Sequence, residues 1–224
     1  MQQTYIVVPA YNENACIEKV IHELRLTRAN VVVVDDGSTD ETYYTARREA
    51  TYVLRHVLNR GQGAALQTGI EFSLSRGAQF IVTFDADGQH QVEDIPRLLQ
   101  PIYRGECDVC LGSRFLGESI GIPWVRKMTL RLGVFFTRIS SGVKLTDAHN
   151  GLRAFSREAA RQICITLDGM AHASELIDII SNAGLIYQEV PVSIRYTKRS
   201  LTKGQSPWNA FRIVFDYLLS RTSK

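Results

Sequence analysis

The sequence predicts an α/β fold in which a mostly parallel sheet is flanked by helices, and three observations lead to that prediction. Strand patterns alternate with helix patterns from residue 4 to about residue 113, which is typical of layered α/β domains. Residues 31–34 are an unbroken valine run, and β-branched residues without polar alternation indicate a strand buried on both faces. The chain has 224 residues, enough to bury a sizeable core.

The first half of the chain gives the clearest signals. Apolar runs bounded by Pro, Gly or Asp predict strands, and apolar residues at helical spacing after a capping side chain predict helices. Asn14 and Asp40 are the expected caps of the first two helices. The expected strands are 4–8, 31–34, 52–57, 80–84 and 108–111, and the next two expected helices are 61–75 and 92–103.

Beyond residue 115 the pattern loosens, because Gly117, Gly121 and Pro123 interrupt it. We expect a loop there, followed by further helices and strands. The expected helices are 124–139, 157–163, 174–183 and one opened by Pro207, and the expected strands are 151–155 and 186–196.

Polar side chains follow four of the expected strands. In sheets of this kind, ligands bind outside the carboxyl ends of the strands, so we expect these side chains to share one site. They are Tyr11 and Glu13 after the first strand, Asp35 and Asp36 after the second, Asp85 and Asp87 after the fourth, and Gly112, Ser113 and Arg114 after the fifth.

The segment 84–89, Phe-Asp-Ala-Asp-Gly-Gln, carries the strongest chemical signal. Two carboxylates at the end of a buried strand are costly unless a cation lies beside them. Mg²⁺ and Mn²⁺ prefer oxygen ligands, so Asp85, Asp87 and the amide oxygen of Gln89 are candidate ligands. An acidic turn is the alternative, since Asp and Gly are common in loops.

Two other segments are candidates for nucleotide contacts. Asp36 can accept a hydrogen bond from a nucleobase N–H, with a simple turn at 35–38 as the alternative. The segment 61–63, Gly-Gln-Gly, opens a helix, and a glycine-rich helix N-terminus favours phosphate. The candidate cationic groups near the site are Arg114, Arg126 and Arg195.

Composition and charge narrow the classes of protein. Apolar residues make up 45% of the chain, no apolar run reaches the roughly 18 residues that span a bilayer, and the chain starts in a strand pattern rather than a signal peptide. A cytoplasmic location is therefore expected.

The segment from Arg195 onward is basic. It has seven basic residues and one acidic residue, a net charge of +6, which indicates an anionic partner or a solvated basic end. Nucleic-acid binding is not expected, because the basic residues do not interleave with aromatic residues.

Cys107 and Cys110 form a lone C-x-x-C. No second pair and no nearby histidine completes a zinc set. We expect both to act as small apolar residues around a strand.

Seven stretches of the chain resemble family 2 glycosyltransferases of the GT-A fold, specifically the polyprenyl-phosphate sugar synthases such as dolichyl-phosphate mannose synthase. Together they cover nearly the whole chain in order. They are VVPAYNE at 7–13, VVVVDDGSTDET at 31–42, NRGQGAALQTGI at 59–70, FDADGQHQVEDIPRLL at 84–99, GSRF at 112–115, NGLRAFSREA at 150–159 and KGQS at 203–206.

The resemblance implies an inverting enzyme that uses Mg²⁺ or Mn²⁺ to move a sugar from GDP-mannose or a UDP-sugar to a polyprenyl phosphate. The implied nucleotide-binding residues are Pro9, Ala10, Tyr11, Glu13, Asp36, Gly63, Asp85 and Ala86. The implied metal ligands are Asp85, Asp87 and Gln89. The implied catalytic residues are Asp87 and the cationic Arg114, Arg126 and Arg195, which would face the acceptor phosphate or the donor diphosphate.

The class of acceptor decides whether a catalytic base is needed. A phosphate monoester has a second pKa of about 6 and is largely anionic at neutral pH, so it needs only cations such as arginine to position it. A sugar hydroxyl, the alternative acceptor, needs a base. Glu175 is the candidate for that role, with His172 or Asp147 behind it, and a buried structural carboxylate is the other interpretation of Glu175.

The resemblance also suggests an organisation along the chain. Residues 1–114 would form the half that binds the nucleotide sugar, and residues 115–206 the acceptor side of the same domain. Residues 207–224 would form an amphipathic helix with Trp208, Phe211, Phe215 and Leu218 on one face. That face would lie at a membrane interface, making the enzyme peripheral on the cytoplasmic face, or would pack on the core. A homo-oligomer is compatible with the sequence.

The chain departs from the family pattern at one place, and two other classes of protein are alternatives to a glycosyltransferase. The family often has Thr-Ser-Gly where this chain has His149, Asn150 and Gly151, so the acceptor is left open. A sugar nucleotidyltransferase would need a glycine-rich basic loop after the first strand, whereas 9–13 is acidic and lacks glycine. A phosphoacceptor signalling domain would have its acidic pair near the first strand and about half this length.

Overall fold

The computed structural model describes residues 3–117, 119–120, 124, 128, 131, 133–134, 138 and 142–196. The expected helix at 207–224 and the side chain of Arg126 lie outside these residues, as does most of the expected helix at 124–139. The described positions 124, 128, 131, 133, 134 and 138 are helical.

Strands and helices alternate through the first half of the chain, as expected from the sequence. The strands are β1 (Thr4–Ala10), β2 (Asn30–Asp35), β3 (Tyr52–Arg55), β4 (Phe80–Thr83) and β5 (Val109–Ser113). The helices are α1 (Asn14–Arg25), α2 (Thr42–Glu49), α3 (Gln62–Ser75) and α4 (Ile95–Tyr103), with a 3₁₀ turn at Val92–Asp94 leading into α4.

The second half adds shorter elements. The strands are β6 (Ser119–Ile120), β7 (Arg153–Ser156), β8 (Tyr187–Pro191) and β9 (Ile194–Arg195). The helices are α5 (Arg157–Gln162) and α6 (His172–Asn182). The single strand expected over 186–196 is therefore two strands, which belong to different sheets.

Seven strands form one sheet in the order β3-β2-β1-β4-β7-β5-β8. Neighbours are parallel except at β7, which runs antiparallel to both β4 and β5. Because β7 and β8 come from the second half of the chain, both halves share this sheet. β6 and β9 pair in parallel as a separate small sheet.

The sheet is buried on both faces, which explains the valine run. Val31 and Val33 of β2 belong to the apolar cluster that includes α1 on one face, and Val32 and Val34 belong to the cluster that includes α3 on the other. Alternate residues of a strand point to opposite faces, so a strand covered on both sides must be apolar throughout.

The expected Asn14 cap is wrong. Glu13 is the N-cap residue of α1, and its side chain makes no capping hydrogen bond. The amide of Glu13 instead donates to Thr42 Oγ1 at 2.8 Å, and Asn14 Oδ1 accepts a hydrogen bond from Thr45 Oγ1 at 2.8 Å. These side chains tie the loop after β1 to the start of α2, a tertiary contact that local sequence does not reveal.

Candidate functional site

A cavity of about 690 Å³ opens at the carboxyl ends of β1, β2 and β4. This is the edge of the sheet at which the polar clusters were expected to meet. The residues of the predicted site that line it are Pro9, Ala10, Tyr11, Glu13, Asp36, Asp85, Ala86, Asp87, Gln89 and Arg114. It is also lined by Gln62, His90 and His149, to which the sequence assigned no role at the site.

Asp85 is fixed from three sides. Gln62 Nε2 donates to its Oδ1 at 2.9 Å, and His90 Nε2 donates to its Oδ2 at 2.9 Å. A Cβ on Gly151 would come within 2.2 Å of Oδ2, so any larger residue there would displace the carboxylate. Burial opposes ionisation, but the His90 bond and the charge of buried Arg153 together lower the pKa of Asp85. Asp85 is therefore a fixed anion in the cavity wall.

Asp87 has the opposite electrostatic environment. Its Oδ1 accepts the amide of Gln89 at 3.0 Å, and its Oδ2 accepts the side-chain amide of Gln89. Burial and the neighbouring charge of Asp85 raise the pKa of Asp87. A second negative charge is therefore unfavourable here, and a cation at this position would relieve it.

The side chains around Asp87 fit a hard divalent cation. Carboxylate and amide oxygens are the donors that Mg²⁺ and Mn²⁺ prefer, and Gln89 could present its amide oxygen instead of its nitrogen, since the two atoms are assigned from hydrogen bonding. Within the described part of the chain, no group of three or more His, Cys, Asp or Glu side chains could hold a metal. Mg²⁺ usually combines one or two carboxylates with the phosphates of a substrate.

Asp36 organises the loop between β3 and α3. Its Oδ1 accepts the amide of Arg60 at 3.0 Å and pairs with His56 Nδ1 at 2.7 Å, and its Oδ2 accepts the amide of Gly61 at 2.7 Å. His56 Nε2 in turn contacts Thr68 Oγ1 at 3.0 Å. Asp36 also lines the cavity. Both of its carboxylate oxygens already accept hydrogen bonds from this loop.

The backbone amide of Gly63, an implied nucleotide-binding residue, is already bonded within the protein. That amide donates to the carbonyl oxygen of Asp168 at 2.7 Å, and a Cβ on Gly63 would come within 2.0 Å of Leu167 O. The glycine is required because the loop at 167–168 packs against the first turn of α3. Gly61 and Gln62, at the start of the same segment, do line the cavity.

Arg114 follows β5 and is held by two side chains. Its Nε donates to Asp147 Oδ2 at 2.6 Å, and its Nη1 donates to Tyr196 Oη at 2.9 Å. Burial alone would lower its pKa, but Asp147 and Tyr196 raise it, so the guanidinium is a permanent cation at the cavity. Glu189 fixes the loop beneath it by accepting the amides of Thr146 and Asp147.

Arg195 lies beside the loop that carries Asp87. Its amide donates to the carbonyl oxygen of Gln89 at 3.0 Å, and a β-bridge pairs His90 with Ile194. The Arg195 side chain is exposed and is not part of the cavity lining in the described structure. Arg126 lies outside the described residues.

The contacts of Glu175 are those of a buried structural carboxylate, which was the alternative to a catalytic base. Its carboxylate accepts the amides of Thr166 at 3.0 Å and Leu167 at 2.9 Å, and also the Thr166 hydroxyl. It does not line the described cavity. These bonds fix the loop before α6, so the geometry gives no support to a role as base.

Several residues of the site lack a sequence signal. His90 follows the acidic pair, but nothing local indicates that its ring turns back to Asp85. Arg153 is buried, with a pKa that burial lowers to about 10 even though Asp85 and Asp147 oppose this. Only the pairing of β7 with β4 and β5 brings this residue near Asp85, and that pairing has no local signal.

The two cysteines of the C-x-x-C are buried in the core, as expected. Their Sγ atoms lie 3.4 Å apart. Both pack in the apolar cluster around β5 and α4.

Comparisons with known proteins identify the family. Residues 5–164 match the family described as Glycosyl transferase family 2. The chain is 32% identical to the UDP-N-acetylglucosamine–dolichyl-phosphate N-acetylglucosaminyltransferase of Methanococcus voltae, over 98% of this chain and 96% of that protein. It is 30% identical to the polyprenol monophosphomannose synthase of Mycolicibacterium smegmatis, over 89% of this chain and 79% of that protein.

A solved structure has the same fold. Glucosyl-3-phosphoglycerate synthase from Mycobacterium tuberculosis, crystallised with Mn²⁺, UDP-glucose and phosphoglyceric acid, superposes with a TM-score of 0.72. The match covers 98% of this chain and 79% of that one, at 23% identity. The sheet with its flanking helices is therefore the GT-A fold, and the chain belongs to glycosyl transferase family 2 and is a glycosyltransferase.

Proposed function

We propose that this enzyme moves a sugar from a nucleoside-diphosphate sugar to a polyprenyl phosphate, with a divalent cation held by Asp85, Asp87 and Gln89. The observation that carries the proposal is the placement of the Asp85–Asp87 pair and the cation Arg114 around one cavity. Residues 1–114 would hold the donor and residues 115–206 would form the acceptor side.

The donor would lie along the carboxyl edge of the sheet. Pro9, Tyr11 and Asp36 line the part of the cavity formed by β1 and β2, where a base and ribose would bind. The diphosphate would then reach Asp87, whose raised pKa favours a cation between the two. When bound, such a cation neutralises the charge that develops on the departing diphosphate.

The acceptor side favours an anion over a hydroxyl. Arg114 is kept charged and oriented by Asp147, which suits a phosphate, whereas Glu175, the candidate base for a hydroxyl acceptor, is bound to Thr166 and Leu167. A phosphate oxygen that is already ionised attacks without a base. Orientation by a fixed guanidinium lowers the entropic part of the barrier.

A second cavity, of about 300 Å³, supports a lipid acceptor. Phe115 and Val134 give it apolar walls, and Arg131, Arg138 and Thr146 give it polar ones. Such a mixture suits an isoprenoid chain that ends in a phosphate. The relatives from M. voltae and M. smegmatis are named for dolichyl phosphate and polyprenol monophosphate, and both are lipid phosphates.

The same region supports docking on a membrane surface. Trp124 is 74% exposed and Met128 is 39% exposed, and the side chains of Arg131 and Arg138 on the same stretch are exposed too. Apolar and basic side chains together favour the interface of an anionic bilayer. No helix of the described chain meets the length and apolarity needed to cross a membrane. Flotation with vesicles containing anionic lipid should therefore recover the enzyme.

A transfer assay tests the proposal. The enzyme would be incubated with Mn²⁺, with UDP-N-acetylglucosamine, UDP-glucose or GDP-mannose, and with undecaprenyl or dolichyl phosphate, and lipid-linked sugar would be detected by mass spectrometry. We expect product with one donor, and none with the unphosphorylated polyprenol. Product with 3-phosphoglycerate but not with either lipid phosphate would contradict the proposed acceptor class.

A further inference from the structure

We propose that His149 binds a hydroxyl group of the transferred sugar and thereby helps to select the donor. The inference rests on the proposed function. His149 lines the central cavity together with Asp85, Asp87 and Arg114. It therefore lines the same space as the acidic pair, where the donor diphosphate would lie, and as the cation proposed to hold the acceptor. The sugar must occupy that space for transfer to take place.

The imidazole has unused hydrogen-bonding capacity. Its Nδ1 is buried and has no hydrogen-bond partner in the described structure. Its Nε2 makes no hydrogen bond with a described residue either and is not among the buried unpaired atoms, so Nε2 is the nitrogen that a ligand can reach. A sugar hydroxyl bound at Nε2 would therefore be a hydrogen-bond partner that the ring lacks among the described residues.

The charge state of the ring decides which ligand group it suits. Burial, with the charges of Arg153 and Arg114, lowers the pKa of His149 to about 4, although Asp147 opposes this. The ring is therefore neutral at pH 7 and offers one donor and one acceptor. Only Nε2 can be reached, so it meets the ligand either as a donor or as an acceptor, depending on the tautomer. A hydroxyl both donates and accepts, so it suits either tautomer, whereas an ionised phosphate only accepts. The cationic Arg114 remains the better partner for phosphate.

The ring is held in a fixed position. The backbone amide of His149 donates to Asp147 Oδ1 at 3.3 Å, while Asp147 Oδ2 accepts from Arg114. A Cβ on Gly133 would come within 2.9 Å of the ring Cε1, so the ring packs closely on that glycine. One carboxylate thus positions both the proposed sugar contact and the proposed phosphate contact, which fixes their spacing.

Binding measurements separate a sugar contact from a nucleotide contact. Titration calorimetry with Mn²⁺ first identifies which of UDP, GDP and dTDP binds wild type. The matching sugar nucleotide, UDP-N-acetylglucosamine, UDP-glucose or GDP-mannose, is then titrated into wild type, His149→Ala, His149→Asn and the control His22→Ala. His22 is exposed on α1. We expect His149→Ala to bind the diphosphate within about twofold of wild type and the sugar nucleotide about 10-fold more weakly, as for one lost hydrogen bond. His149→Asn, which keeps a donor and an acceptor, should recover part of the loss.

Two results would overturn the inference. Equal weakening of diphosphate and sugar nucleotide would mean that the ring only shapes the cavity, and unchanged binding of both would mean that it makes no contact. His149→Asn serves as the second variant if His149→Ala does not fold. If wild type binds none of the three diphosphates, the proposed function fails and the inference fails with it, whereas diphosphate binding without a selective effect refutes the inference alone.

Discussion

His90 Nε2 donates a hydrogen bond to Asp85 Oδ2 across 2.9 Å. The ring also packs edge-on against Phe84, with the ring centres 5.4 Å apart, and the backbone of His90 bridges to Ile194. Because of these contacts, the first carboxylate of the acidic pair is held by the loop that carries the second. The orientation of Asp85 therefore depends on a residue to which the sequence assigned no role.

Removing this bond should change the pH dependence of transfer. The His90 bond is among the causes that lower the pKa of Asp85, so His90→Phe should raise that pKa. The acidic limb of kcat/KM would then move to higher pH, so the variant should lose more activity than wild type as the pH falls. His22→Phe on the surface of α1 is the control, and an acidic limb that stays in place in His90→Phe would contradict the assigned role.

Gly151→Ala should disable the site by contact alone. Its Cβ would come within 2.2 Å of Asp85 Oδ2, so the carboxylate must leave its position between Gln62 and His90. We expect at least a 100-fold loss in kcat/KM, the scale seen when an electrostatic group is displaced from a reacting centre. Gly169→Ala is the matched control, because a Cβ there has open space. Similar kinetics for the two variants would refute the steric argument.

Asp36→Ala should weaken both folding and nucleotide binding. Two backbone amides, of Arg60 and Gly61, lose their acceptor, and the cost should be about 1–3 kcal/mol of unfolding free energy. Urea denaturation measures this change. Asp168→Asn is the control, since its carboxylate contacts an exposed arginine and such pairs contribute about 0–1 kcal/mol. Equal losses in the two variants would mean that Asp36 does not order the loop.

Stability should fall between pH 6.5 and pH 4, in part because of His172. Burial and the charge of Arg153 lower its pKa to about 4 in the folded protein, whereas the unfolded chain has a value of about 6.5. In that window the unfolded chain binds more protons, so acidification favours unfolding. One such histidine adds a slope of up to about 1.4 kcal/mol per pH unit.

Urea midpoints measured across this pH range would show the effect of His172. His172→Gln should have a flatter dependence on pH than wild type, whatever its stability at pH 7. His149, with a pKa also near 4, should keep part of the slope. An unchanged slope in His172→Gln would contradict a neutral, buried ring.

The features that could be predicted from the sequence are those encoded by a few consecutive residues. The valine run of β2 revealed a strand buried on both faces, and Asp85 and Asp87 revealed the acidic edge, because each signal lies within a few consecutive residues. Contacts from distant segments were missed. Gln62 reaches Asp85 from α3, and Gly151 reaches it from the loop before β7, which depends on pairings with no local signal. The loop at 167–168, about 100 residues later, accepts the amide of Gly63, another contact between distant segments.

The most direct test of the account is Mn²⁺-dependent binding of a nucleoside diphosphate to wild type and Asp87→Asn. Asn keeps the shape of the side chain but removes the charge that a cation would neutralise. Titration calorimetry of UDP, GDP and dTDP, with Mn²⁺ and with EDTA, should show one diphosphate that binds wild type at least about 10-fold more tightly with Mn²⁺, and no such gain in Asp87→Asn. An equal Mn²⁺-dependent gain in both proteins would show that Asp87 does not hold the cation.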